Sequence, residues 1–293
     1  MRKILVLLLL AAPIILSCTS STASRKEAQA EKGVKEYPMA VDVNTFEKDY
    51  AKVHGNELKK MEEDGNPGEF LLEDGKAMFH KVDGSAGKSC ASCHGENGAK
   101  NLKGIAVSYP KYNSSVDGGK GGVITIPMQI NMCREKNMGI AKEKAWKYGK
   151  SEITGVELFV KSLSNGMPIK VKTDGPASKF YEAGKKNFYT KLGEWNWNCA
   201  QCHVKYAGRF SRQEFLPPAP LLADHWPSFR LDWGAVAGDT TRTIQVRFNG
   251  CIKNMRVSDD KIPGFESEFM RNLELYVTAQ ANGRPQHVPG FRR

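Results

Sequence analysis

CASCH at residues 90–94 and CAQCH at residues 199–203 constrain this 293-residue chain more than any other part of its sequence. Each stretch has two cysteines separated by two residues, and a histidine directly after the second cysteine. In a Cys-x-x-Cys-His motif the two thiols form thioethers with a c-type haem, and the histidine binds its iron. The sequence therefore predicts two covalent haems. The residues that would hold them are Cys90, Cys93, His94, Cys199, Cys202 and His203.

Paired cysteines also serve two other chemistries. Two Cys-x-x-Cys pairs can share one zinc ion, and a single pair can act as a thioredoxin-like dithiol. Neither alternative explains why a histidine follows both pairs directly. The motifs therefore favour haem.

The N-terminus predicts export. Arg2 and Lys3 precede an apolar run at 4–16 that is short for a bilayer span and typical of a secretory signal. The run ends in ILSC, which resembles a bacterial lipobox, so we expect residues 1–18 to be a signal peptide and Cys18 to carry a lipid. A plain signal cleaved near residues 20–23 is the alternative. Export agrees with haem, because c-type haem is attached in the periplasm.

The formal net charge of +11 favours anionic partners. For an exported haem protein we expect an acidic partner protein or a small anion such as a sulfur oxoacid, and no nucleic acid. A generic solubilising charge is the alternative interpretation.

The body of the chain repeats itself. EDGK at 73–76 precedes the first motif as EAGK at 182–185 precedes the second, and ELFVKSLSNGMP at 157–168 is echoed by ELYVTAQANGRP at 274–285. Such self-similarity indicates duplicated units. We predict two tandem cytochrome c-like domains related by internal duplication.

These predicted domains span residues 46–172 and 173–293, after a flexible, lysine-rich tether at 19–45. The fold class is mainly α with long irregular loops. In each domain the Glu-x-Gly-Lys segment is expected to open a helix, and the echoed segment to close an amphipathic helix that ends at Asn-Gly. Strands are expected only at 121–127 and 241–248.

The sixth iron ligands are less determined. Cys133 and Cys251 lie late in their halves, with the similar flanks INMCREKNM and FNGCIKNMR, where a cytochrome c supplies its distal ligand. An axial thiolate would lower the haem potential. A Cys133–Cys251 disulfide or simple burial of both thiols remains open. Methionine ligation is open as well, through Met128, Met132 or Met138 at the first haem and Met255 at the second.

The chain resembles the SoxA family, the dihaem subunits of the SoxAX cytochromes of bacterial thiosulfate oxidation. The resemblance covers roughly residues 60–285 and is carried by INMCR, WKYGKSEITGVELFVKSLSNGMP, NWNCAQCH and the VRFNGC and LELYV segments. It implies a haem-dependent L-cysteine S-thiosulfotransferase, which joins thiosulfate to a cysteine of a SoxYZ-type carrier. Two electrons then leave through haem to a monohaem SoxX-type subunit.

The resemblance also implies roles for individual residues. His203 and Cys251 would ligate the active haem, and Cys251 would be the cysteine that becomes persulfidated in the family. Arg247 would bind the anionic substrate, because the guanidinium fork matches the oxygens of a sulfonate. His94 and Cys133 would ligate the first haem.

Three parts of this interpretation have alternatives: the membrane attachment, the role of His225 and the reaction. A lipid anchor and a lysine-rich tether are not usual in the family. His225 could accept a proton near the substrate, although packing beside Trp226 is the simpler interpretation. A pure electron-transfer cytochrome, or a thiosulfate dehydrogenase that forms tetrathionate without a carrier, are the alternative functions.

Overall fold

Nine α-helices lie in the residues that the structure, a computed structural model, describes, namely 34–98, 100–211, 214–230 and 241–292. They are α1 (Val43–Asp64), α2 (Gly68–His80), α3 (Cys90–His94), α4 (Val116–Gly119), α5 (Ile126–Met138), α6 (Ser151–Ser162), α7 (Ser178–Tyr189), α8 (Ile244–Asn254) and α9 (Glu268–Gln280). Long irregular segments join them, so the predicted mainly α fold is confirmed. No helix in these ranges has the length and apolar character needed to cross a membrane.

Short strands complete the described ranges. They are β1 (Lys111–Asn113), β2 (Gly122–Ile124), β3 (Phe210–Ser211), β4 (Glu214–Phe215), β5 (Ser228–Arg230), β6 (Thr241–Arg242) and β7 (Gly290–Arg292). The pairs β1–β2, β3–β4 and β5–β6 are antiparallel, and β7 lies parallel to β5.

The expectation that strands occur only at 121–127 and 241–248 is wrong, because five of the described strands lie outside these ranges. Within 121–127 the prediction holds for β2, whereas α5 already begins at Ile126. At 241–248 only Thr241 and Arg242 form a strand, because extended Thr243 is the N-cap of α8. Ile244 and Ile252 are then buried on that helix. They are eight residues apart, which places them about two turns apart on one face of a helix.

Two helix crossings form the centre of the two halves, α2 against α6 and α7 against α9. At the first crossing a Cβ on Gly75 would collide with the carbonyl of Gly155, and at the second a Cβ on Gly184 would collide with the carbonyl of Asn272. The Glu-x-Gly-Lys segments therefore lie inside α2 and α7, and the prediction that they open these helices is wrong. Their glycines allow two backbones to approach closely.

The echoed segments form α6 and α9, as predicted. Neither helix is amphipathic, however, because each has a stretch that is buried on all sides. Residues 153–160 of α6 and 270–278 of α9 are all buried. Both helices end before Asn-Gly, at Ser162 and Gln280. The predicted helix ends are therefore two to three residues too late.

The asparagines of these Asn-Gly pairs join the two halves. Asn165 donates to the carbonyl of Val288 at 2.6 Å and accepts from its backbone N–H at 2.9 Å. Asn282 makes the same pair of contacts with Val171, at 3.0 and 2.8 Å. Between them Pro168 forms an antiparallel bridge with Pro285, its counterpart in the other echoed segment.

The predicted signal peptide, Cys18 and tether residues 19–33 lie outside the described residues. Of the rest of the predicted tether, the backbone N–H of Ala40 bonds to the carbonyl of Val204, and residues 43–45 are helical in α1. Phe46 is buried in a cluster with Phe215 and Leu221. The start of α1 is thus held by residues of the C-terminal half.

Candidate haem sites

The first motif is folded as one capped helical turn. Ser89 Oγ accepts from the N–H of Ser92 at 3.2 Å, and Ser92 Oγ accepts from the N–H of Ser89 at 3.0 Å. This reciprocal capping box starts α3 at Cys90 and ends it at His94. Both motif thiols and the imidazole therefore project from a single turn.

His94 is oriented by a side-chain amide. Its Nδ1 lies 2.5 Å from Oδ1 of Asn101. An amide oxygen can only accept, so Nδ1 carries the proton and the lone pair of the ring is on Nε2. Nε2 is then the nitrogen that could bind a metal, and sequence reasoning missed Asn101, the hydrogen-bond partner that orients the ring.

The second motif has the same kind of cap. Asn198 Oδ1 accepts from the N–H of Gln201 at 2.8 Å, and Gln201 Oε1 accepts from the N–H of Asn198 at 3.0 Å. The turn then widens into a π-helical segment, Gln201–Lys205. Nδ1 of His203 donates to the carbonyl of Pro217 at 2.9 Å, which again leaves the lone pair on Nε2.

Each late cysteine lies close enough to its own motif to influence the motif thiols. Burial raises the pKa of Cys90 to about 11, and the charge of Cys133 adds to the effect. Burial raises the pKa of Cys199 to about 12, and here the charge of Cys251 adds. The structure thus brings Cys133 to the first motif and Cys251 to the second.

The arrangement of the cysteines argues against two of the alternatives raised from sequence, the Cys133–Cys251 disulfide and the shared zinc site. The six cysteines within the described ranges are free, so Cys133 and Cys251 form no disulfide. In the same part of the chain, no three His, Cys, Asp or Glu side chains cluster as a metal site. The two Cys-x-x-Cys pairs therefore do not come together, as they would have to if they shared one zinc ion. The donor set at each motif fits a c-type haem: two thiols, an imidazole with its lone pair on Nε2, and a further sulfur nearby.

The methionines considered as distal ligands are buried or pack against apolar residues. Met255 is buried with Ile252 and Met270, and Met138 is buried at the end of α5. Met128 and Met132 pack against the core of the first half.

Arg247 lies four residues before Cys251 on α8, which is about one helical turn. Burial raises the pKa of Cys202 to about 11 and Cys251 adds to this, whereas the positive charge of Arg247 opposes both. In the described part of the chain no carboxylate forms an ion pair with Arg247. Among the described residues, the guanidinium charge of Arg247 beside the second motif has no carboxylate partner.

The first motif has a different arginine. Arg134 follows Cys133, is buried, and forms an ion pair with Asp83 at 3.0 Å between Nη2 and Oδ2. Its guanidinium also stacks on Trp146 at 3.6 Å from the ring centroid. Hydrogen bonding to Arg134 is the main cause that lowers the pKa of Asp83. This arginine is already engaged.

His225 belongs to an ion-pair network. Its Nδ1 lies 2.7 Å from Oδ1 of Asp224, and Oδ2 of Asp224 accepts from Nε of Arg284 at 2.9 Å. Burial alone would raise the pKa of Asp224, but the hydrogen bonds and charges of His225 and Arg284 hold it well below its usual range. Arg284 continues the network to Glu47 on α1 at 2.9 Å.

Helical folding around Cys-x-x-Cys-His turns defines this chain as a c-type cytochrome, and comparisons with known proteins agree. Residues 74–169 match the family model described as SoxA/TsdA, cytochrome c domain. The chain is 34% identical over 229 residues to the L-cysteine S-thiosulfotransferase subunit SoxA of Pseudaminobacter salicylatoxidans, covering 78% of this chain and 74% of the relative. It is 36% identical over 236 residues to the protein of that name from Chlorobaculum tepidum, with coverage of 80% and 74%.

Among solved structures, the SoxXA of P. pantotrophus matches with a TM-score of 0.68 and 28% identity, over 78% of this chain and 79% of that one. The chain belongs to the SoxA family. The resemblance inferred from sequence motifs is thereby confirmed.

Proposed function

We propose that this chain is a haem-dependent L-cysteine S-thiosulfotransferase. It joins thiosulfate to a cysteine of a SoxYZ-type carrier. Relatives that cover most of the chain carry this activity in their names. The observation that carries the proposal within the molecule is the placement of Arg247 and Cys251 one helical turn apart beside the second motif.

The reaction forms one sulfur–sulfur bond. The outer sulfur of thiosulfate bonds to the carrier cysteine sulfur, the thiol proton leaves, and two electrons are released. Haem, when bound, supplies the acceptor for these electrons. The protein has to hold a dianion next to the second motif and keep its reacting sulfur in place.

Arg247 is suited to hold the sulfonate end of thiosulfate. Its planar fork of donors matches the oxygens of an oxoanion, and it stays charged at every physiological pH. No described carboxylate competes for it. His203 and Cys251 would ligate the iron of this second, active haem, and Cys251 is the candidate for persulfide modification.

His94 and Cys133 would hold the first haem. Two haems would then sit in two tandem cytochrome c domains, residues 46–172 and 173–293. The support for internal duplication is that matching asparagines, Asn165 and Asn282, make the same contacts in opposite directions. The first haem would support electron transfer.

A monohaem SoxX-type subunit is the proposed electron-accepting partner, since the matching crystal structure is that of SoxXA. The basic chain would also attract an acidic carrier surface. We place the protein in the periplasm, with Cys18 as the candidate for a lipid tether.

The test uses the haem-loaded full chain with its SoxX-type subunit, thiosulfate and an oxidised cytochrome c, with and without the carrier. We expect the carrier cysteine to gain a thiosulfate adduct in its intact mass, with the acceptor reduced in step. Formation of tetrathionate without the carrier would instead identify a thiosulfate dehydrogenase. Absence of any thiosulfate turnover would identify a pure electron carrier.

A further inference from the structure

The helices α5 and α8 correspond residue by residue. A threonine occupies the N-cap position of each, Thr125 and Thr243, although only the side chain of Thr125 accepts a capping hydrogen bond, and the late cysteine is the eighth residue after it in both. Four residues before the cysteine, α8 carries Arg247 and α5 carries Gln129. One helix position therefore holds a cation at the second motif and a neutral amide at the first.

Gln129 contacts the late cysteine of its own site. Its Nε2 donates to Sγ of Cys133 at 3.3 Å, and its Oε1 accepts from the hydroxyl of Tyr109 at 3.3 Å. A thiolate can only accept, so with Cys133 ionised Nε2 has to face the sulfur, and Oε1 is left to accept from the hydroxyl of Tyr109. A chain of hydrogen bonds thus runs from Tyr109 through Gln129 to the sulfur.

Tyr109 is fixed as the donor at the start of this chain. It is only 7% exposed, and its hydroxyl lies 3.3 Å from Oε1 of Gln129. A phenol keeps its proton at neutral pH. Its hydroxyl holds Oε1 of Gln129 and directs Nε2 toward Cys133.

We propose that Gln129 is a positioning residue that directs the Cys133 sulfur toward the first haem and raises the reduction potential of that haem. A hydrogen bond to a thiolate withdraws electron density from the sulfur, so the sulfur donates less to ferric iron. Weaker donation stabilises the oxidised iron less. The inference rests on the proposed role of Cys133 as an axial ligand.

The difference between Gln129 at the first motif and Arg247 at the second also indicates that the two sites have different functions. A neutral amide engaged with Cys133 and Tyr109 has no charge to hold a dianion. Arg134, the cation next to Cys133, is already paired with Asp83 and stacked on Trp146. The first site is therefore built to set a potential, whereas Arg247 equips the second for an anionic substrate.

The test compares Gln129→Leu and Tyr109→Phe with the wild-type full chain, loaded with haem and assembled with its SoxX-type subunit. The readouts are the reduction potential of each haem by spectroelectrochemical titration and the magnetic-resonance spectrum of the oxidised protein. Cys251→Met identifies which titration step belongs to the second haem. Gln280→Leu is the matched control, because Gln280 is also half-buried and also contacts a tyrosine hydroxyl, that of Tyr181 at 3.4 Å.

We expect Gln129→Leu to lower the potential of the first haem and to keep its thiolate signature. Tyr109→Phe should shift that potential in the same direction by a smaller amount, and Gln280→Leu should shift neither haem. Unchanged potentials with the thiolate signature intact would overturn the role of Gln129 alone. If Gln129→Leu fails to load haem, an unchanged first-haem potential in Tyr109→Phe overturns it instead. A first haem without thiolate ligation in the wild type would overturn the axial role of Cys133 as well.

Discussion

Asn165 and Asn282 clamp the two halves of the chain by the same contact made in opposite directions. Each side chain bonds to both the N–H and the carbonyl of one valine in the other half, Val288 and Val171 respectively. The bonded residues lie beyond the helices α6 and α9, where no helical hydrogen bonds are available to them. The amide side chains therefore replace secondary structure at the junction.

Replacing Asn165 or Asn282 with alanine removes two such bonds and leaves partly buried backbone groups unpaired. We expect each variant to lose about 1–3 kcal/mol of unfolding free energy, measured by urea denaturation of the haem-loaded protein. Asn254→Ala, at an exposed position at the end of α8, serves as the control and should cost less than about 0.5 kcal/mol. Equal losses of unfolding free energy in all three variants would contradict the proposed role of Asn165 and Asn282 at the junction.

The crossing of α2 and α6 depends on Gly75. Alanine at this position would push its Cβ into the carbonyl of Gly155. We therefore expect Gly75→Ala to lower the free energy of unfolding by about 1–3 kcal/mol. Gly55 is the matched control, because it lies inside α1 with no neighbouring atom in the space that a Cβ would fill. Gly55→Ala should stabilise the protein by about 0.5–1 kcal/mol. Thermal unfolding distinguishes the two, and similar changes in Tm would argue against the close crossing.

Glu274 makes stability depend on pH. Burial raises its pKa to about 7; Lys161 and Gln245 oppose the rise, and Glu157 adds to it. Because the folded pKa lies above the ordinary value of 4.5, the folded state binds the proton more tightly, and stability falls as pH rises from about 4.5 to 7. In the Glu274→Gln variant, the fall in the free energy of unfolding over this pH range should be smaller by up to roughly 3 kcal/mol.

Urea denaturation at pH 5 and pH 7.5 measures the effect of Glu274. The control is Glu143→Gln, since Glu143 is exposed, and its pH dependence should match the wild type. A Glu274→Gln variant that keeps the full wild-type slope would show that this carboxyl does not carry the proton.

Arg247→Gln gives the second site the residue that the first site has. Loss of one charge-assisted contact to the sulfonate should cost about 1.5–3 kcal/mol, which lowers kcat/KM for thiosulfate about tenfold to hundredfold. Lys253→Gln changes a cation on the exposed side of the same helix and should leave kcat/KM nearly unchanged. Equal losses in both variants would indicate a general effect of charge.

The sequence predicted those features of the fold and the site that depend only on residues close together in the chain. The Cys-x-x-Cys-His spacing and the helical periodicity of α6 and α9 are local, and the matching flanks of Cys133 and Cys251 follow from repetition. Gln129 was missed, although its four-residue offset from Cys133 equals that of Arg247 from Cys251 and could have identified it.

Contacts between distant segments could not be predicted in this way. The Asn-Gly pairs are typical of helix ends, yet their asparagines bind valines more than a hundred residues away. Glu-x-Gly-Lys is compatible with a helix start, but the need for glycine appears only when the backbone of the partner helix is in place. Likewise, pairing of Arg134 with Asp83 depends on how α5 packs against the loop before the first motif.

The role of Cys251 is tested most directly by the magnetic-resonance spectrum of the oxidised, haem-loaded full chain, compared between the wild type and Cys251→Met. We expect the wild type to show thiolate-ligated low-spin iron at the second haem, and the variant to lose this signal while its mass retains both haems. Its second haem should then have a higher potential, and conjugation of thiosulfate should be lost. Identical spectra of the two proteins would contradict the assignment of Cys251 as the axial ligand.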